Sequence, residues 1–172
     1  KSDGSVVNFA GAETKLFRLN NTDFSWVDVS KVSGVSAGSY AALTSTDHWQ
    51  FAQHGNNVVA VQVNVAPQSY DLSSSTFFAD LSGSPPQAKY VAVVLRFLVL
   101  SGLSSTPYRV QWSGLNSIET WDNVTLQSNL QDLSDGGRVI GGAGGDQFGV
   151  IFQESSIRSM IYQPGSAVIF EI

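Results

Sequence analysis

The 172-residue chain has no cysteine and a single methionine, and only 13% of its residues are charged. Without thiols there can be neither a disulfide framework nor a thiolate metal site, and the redox compartment is left open. Nine Lys and Arg against fourteen Asp and Glu give a net charge of −5, so no basic footprint exists for gripping DNA or RNA. The longest apolar run, Tyr90 to Leu100, is interrupted by Arg96 and falls well short of the roughly 20 residues that cross a bilayer. No signal-peptide pattern opens the chain, which begins Lys-Ser-Asp-Gly without methionine, as a trimmed fragment would.

What remains is rich in Val, Phe, Tyr, Ile and Gly, set in short apolar runs closed by Gly, Asn, Ser or Pro. No stretch sustains a 3.6-residue period, which predicts an all-β chain. The predicted strands are 5–9, 15–19, 26–29, 49–54, 57–63, 68–72, 90–100 (interrupted near Arg96), 109–112, 138–142, 148–153, 157–163 and 167–170. Segments 33–47, 73–87 and 116–136 read as connections and, on a rigid scaffold, as contact surfaces.

Residues 139–152, VIGGAGGDQFGVIF, hold five glycines in nine positions. A phosphate cradle needs a helix behind it and a Gly-Lys-Ser/Thr ending, and neither is present. The predicted structure is a hairpin, with Gly142–Asp146 and Gly55-Asn56-Asn57 as turns that use positive φ.

Three stretches, 49–72, 89–115 and 138–170, share a layout, and 5–32 reads as part of an earlier unit. Aligning them puts Val58, Leu98 and Phe148 in one column, each followed twelve residues later by Tyr70, Val110 or Met160. Trp49, Tyr90 and Val139 mark the preceding strands. A three- to four-stranded unit recurring every 40 to 50 residues predicts a β-propeller-like array, partial or small, within a single all-β domain or fragment spanning 1–172. The alternative architecture is a β-sandwich. These column residues, with Trp112, are the predicted structural core.

Chemistry is sparse. His48 and His54 are too far apart along a strand to share one metal, and no Gly-x-Ser-x-Gly elbow accompanies the serines. Residues 132–137, DLSDGG, lack the alternating acids and distal glutamate of a calcium loop. Paired carboxylates for hydrolysis are open to Glu119, Asp122, Asp132, Asp135, Asp146 and Glu154, although acidic turn residues explain them as well. Trp121, between Thr120 and Asp122, is the aromatic expected to be exposed, and Glu119, Trp121 and Asp122 form the candidate contact patch. No catalytic residue, cofactor site or metal site is predicted. The sequons at Asn20 and Asn123 carry meaning only along a secretory route.

The ordered strings WQFAQHGNNVVAVQ with PQSYDL, FFADLSGSPPQAKYVAVVLRFLVLSG, PYRVQWSGL, TWD, QDLSDGGRVIGGAGGDQFGVIFQESSIRSMIY and IFEI resemble virion structural proteins of tailed bacteriophages. The similarity is to phage stabilisation and tail proteins and to the β-propeller nozzle or hub of short-tailed phages, from about Leu16 to Ile172. It departs at VAVQVNVA, which replaces a more polar, turn-rich stretch, and the family's chains continue past the position of Ile172. The resemblance implies a non-enzymatic tail or head–tail connector part, assembled in the bacterial host cytoplasm and residing in the virion. Its implied partners are other virion proteins and further copies of itself around the tail axis. Packaged DNA would be passing cargo, and no membrane would be involved. A glycan-binding module, as a tail adhesin or propeller lectin, is the alternative function, and a hydrolase on the acidic cluster 119–154 the second.

Overall fold

A computed structural model describes residues 4–34, 36–166 and 168–172. Short β-branched and aromatic runs alternating with turn residues form strands, and among the described residues there is no α-helix. All strand pairings are antiparallel. The first sheet is a meander of β1 (Phe9–Gly11), β2 (Leu16–Leu19) and β3 (Trp26–Asp28). A two-stranded hairpin follows, β4 (Val32–Ser33) and β5 (Ser36–Ala37).

Three four-stranded meanders complete the chain. The second sheet comprises β6 (Gln50–His54), β7 (Asn57–Val61), β8 (Gln68–Asp71) and β9 (Ala79–Asp80). The third comprises β10 (Ala88–Val94), β11 (Phe97–Leu103), β12 (Arg109–Trp112) and β13 (Asn129–Asp132). The fourth comprises β14 (Val139–Ala143), β15 (Phe148–Gln153), β16 (Ile157–Tyr162) and β17 (Phe170–Glu171). The start of the predicted strand 167–170, Ala167, lies outside the described residues.

The sheets press on one another in series. Leu16 and Val29 of the first sheet's region pack with Trp49, Val58, Ala60, Tyr70 and Phe78 of the second. Val59 and Val61 of the second pack with Val91, Leu98 and Leu100 of the third. Phe97, Val99, Val110 and Trp112 of the third pack with Val139, Ile151, Met160 and Phe170 of the fourth. Period-2 alternation makes this possible, because one strand sends its odd residues to one core and its even residues to the next. β11 is buried along its whole length for that reason. A two-layer sandwich has one core between two sheets; here, among the described residues, three cores alternate with the four larger sheets.

The repeat column needs correcting at its third member. Val58 does pair with Tyr70, but Val110 lies opposite Ser101 and Met160 opposite Gly149. A twelve-residue interval is therefore the ladder register only in the second sheet. Phe148 sits one residue out of the inward row, and a one-residue slip reverses the face. It is 53% exposed, not core, whereas Gly149 beside it is buried. The other column residues are buried, Tyr90 partly so, and Trp112 is fully enclosed.

The glycine stretch forms the predicted hairpin, yet its glycines serve another purpose. None of Gly141, Gly142, Gly144, Gly145 or Gly149 has a positive φ, while Gly55 does at 57°. A Cβ on Gly144 would stand 1.9 Å from the Val93 carbonyl oxygen, and one on Gly149 would meet Val94 Cγ2 at 2.6 Å. Close approach of the fourth sheet to β10 requires the bare backbone. The Leu95 amide then donates to the Gly145 carbonyl at 2.9 Å, tying the turn between β10 and β11 to this one. Leu95 itself is held at φ 52°, and the next carbonyl, Arg96, accepts from His54 Nε2 at 2.9 Å. His54 thus joins the second sheet to the third.

Candidate interaction surface

The predicted contact patch divides. Trp121 is only 5% exposed: its indole donates to the Ile118 carbonyl at 2.7 Å, and its ring joins Leu81, Ile118 and Leu100 in the core between the second and third sheets. The expectation of an exposed Trp121 is thereby overturned. Its loop lies so close to the connection between β9 and β10 that a Cβ on Gly83 would overlap the Glu119 carbonyl oxygen at 1.7 Å. Glu119 and Asp122 are exposed.

Asp122 is occupied in organising that loop. Its Oδ1 accepts from the Val124 and Thr125 amides at 3.0 and 2.7 Å and from the Ser128 hydroxyl at 2.9 Å. Hydrogen bonding, led by the Thr125 side chain, holds its carboxyl well below the usual carboxylate range. The loop also contains Leu126 and Gln127 at φ 52° and 65°, held by the Trp112 indole donating to the Gln127 carbonyl.

Three of the six acids of the cluster pair with arginines. Asp132 takes a two-pronged contact from Arg109 at 2.7 and 2.9 Å, Glu154 pairs with Arg138, and Asp135 with Arg158. Hydrogen bonds from these arginines depress the Asp132 and Asp135 carboxyls, and the Arg138 backbone and side chain depress Glu154. A general acid for glycoside cleavage needs the opposite shift. Among the described residues no group of three or more His, Asp or Glu could hold a metal ion.

The surface that stands out is apolar and absent from the predicted loops. On the fourth sheet, Phe148 pairs with Ile161 and Phe152 with Ile157, with Val150 and Ser159 between them. All lie on the face turned away from Met160 and Ile151. Ile140, beside the register shift in β14, adds to them, and Ile157 is 72% exposed. Together Ile140, Phe148, Phe152, Ile157 and Ile161 present roughly 500 Å² of apolar side chain, at about 200 Å² for each fully exposed. That is the size of the largest patch on a typical monomer, and such patches are often functional. At the other end, the first sheet turns the Leu19–Trp26 pair away from its core, with Trp26 51% exposed.

A signal for this face exists in the sequence, in the alternation Phe148, Val150, Phe152 and Ile157, Ile161. What hid it is that strands buried on both faces carry the same residue types.

Comparison with protein-family models finds no match, and comparison with curated proteins finds none either.

Proposed function

We propose that the protein is a structural, non-enzymatic element of a tailed-bacteriophage virion, a propeller-like part of the tail or head–tail connector that works by assembling with further copies of itself around the DNA conduit. One observation carries the reading: the outward face of the fourth sheet is built like the faces that fill the three internal cores, but no described residue covers it. Four meanders in series are also the order in which propeller blades succeed one another.

The complementary surface is the outward face of the first sheet, around Trp26. Contact between unlike faces is heterologous, and copies joined that way close into a ring when the rotation allows. A net-negative wall with few unpaired cations would keep the passing DNA weakly bound.

Sedimentation velocity over a concentration series tests the reading. The wild-type chain should self-associate, and Phe152→Ser with Ile157→Ser should leave it monomeric with its fold intact. A wild-type chain that stays monomeric throughout contradicts it.

A further inference from the structure

Three of the four arginines outside the β10–β11 turn spend the Nε–Nη2 edge of the guanidinium on acceptors within the chain. Arg109 uses it on Asp132, Arg138 offers Nε to Glu154, and Arg158 divides it between Gln153 and Asp135. Arg18 differs. Its Nη1 donates to the Tyr70 hydroxyl at 3.0 Å, and among the described residues it has no ion pair. The edge best suited to a carboxylate is left over.

Arg18 lines a cleft of about 480 Å³, within the size range of small-molecule sites. The cleft lies where the first sheet meets the loop after β8. Its lining combines apolar side chains, Val6, Val27 and Val29 among them, with the polar side chains of the β2–β3 turn and with Ser75 and Thr76. The turn is braced for the purpose, since Asn21 Nδ2 donates to the Val6 carbonyl at 2.9 Å and Asn20 Oδ1 accepts from the Thr22 amide at 3.0 Å.

We propose that this cleft binds a carboxylate-bearing sugar, with the free Arg18 edge on the carboxylate, the polar lining residues on ring hydroxyls and the valines against the C–H face. A phosphate is the poorer fit. Among the described residues Arg18 is the sole cation of the lining, so a dianion would be half neutralised inside a protein of net charge −5. The carboxylate contact, Arg18, points to the face of the first sheet opposite the Leu19–Trp26 pair, so binding can be read on the dilute monomer apart from self-association.

Titration calorimetry with D-glucuronate, its methyl ester and glucose 1-phosphate tests the proposal on the wild-type chain and on Arg18→Gln. Glucuronate should bind, the ester roughly tenfold or more weaker because the charge-assisted contact is lost, and Arg18→Gln should bring acid and ester to the same level. Tyr70→Phe, which keeps the core ring, should retain preference for the acid. Equal binding of acid and ester by the wild type, tighter binding of the phosphate, or no binding of glucuronate would each overturn it.

Discussion

β11 and β15 occupy the same place, the second strand of a four-stranded meander, and open with phenylalanine at Phe97 and Phe148. Phe97 is fully buried and Phe148 is more than half exposed. β11 lies between two other sheets and feeds two cores, whereas β15 has a neighbour on one side only. The difference is one of neighbours, not of residue type. A sheet built for burial on both faces has been left with one face in water.

The sharpest break of this comparison is a matched pair of truncations. Phe97→Ala should cost about 3–5 kcal/mol of unfolding free energy, and Phe148→Ala should stay within about 0.5 kcal/mol in the dilute monomer. Denaturant titration of both variants measures the gap; equal losses would mean that the outer face of β15 is covered. Gly144→Ala comes next. With the Val93 carbonyl in the way, the fourth sheet must shift, at about 1–3 kcal/mol, and the loss should appear as weaker protection of β14 and β15 in hydrogen exchange. A neutral result would break the claim that bare backbone sets the spacing to β10.

Acid acts on the sheet ends and should spare the contrast between cores. Hydrogen bonds from Arg109 lower the Asp132 carboxyl, and those from Lys89 and Thr44 lower Asp47. Groups depressed in the folded state bind fewer protons there than in the unfolded chain. Their contribution is therefore complete above the unfolded value near 4 and is lost as the pH falls through the lower folded values. Thermal unfolding should give a flat melting temperature from neutral pH to about pH 5 and a steady fall below it; a rise on acidification would contradict this. The smallest effect belongs to Arg109→Gln, whose half-exposed pair with Asp132 should contribute less than about 1 kcal/mol, read by denaturant titration.

Much of the layout was legible in the sequence, because period-2 alternation and turn residues mark strands directly. The first three strands of the second and fourth sheets fall close to their predicted spans, and the predicted strand 90–100 divides near Arg96 into β10 and β11, each running past it. The fourth strands did not stand out: β9 has two residues and β13, Asn129–Asp132, is polar, so both were read as connections. Their pairing is a matter of backbone hydrogen bonds to a preceding strand, which side-chain pattern does not report. Trp121 was misread for a related reason, since its loop is anchored by contacts with another sheet that spacing along the chain cannot foresee. Arg18 gave no signal, as an unpaired guanidinium edge is visible only in the structure, where Arg109, Arg138 and Arg158 are seen to spend theirs.

Hydrogen exchange of β11 and β15, followed side by side in dilute and in concentrated wild-type solutions, tests the central claim most directly. The account predicts that β11 is equally protected at both concentrations, while protection rises in β15, β16 and the Trp26 strand as copies cover one another. Protection in β15 and β16 that does not change with concentration, or that rises only in the loops, would contradict it.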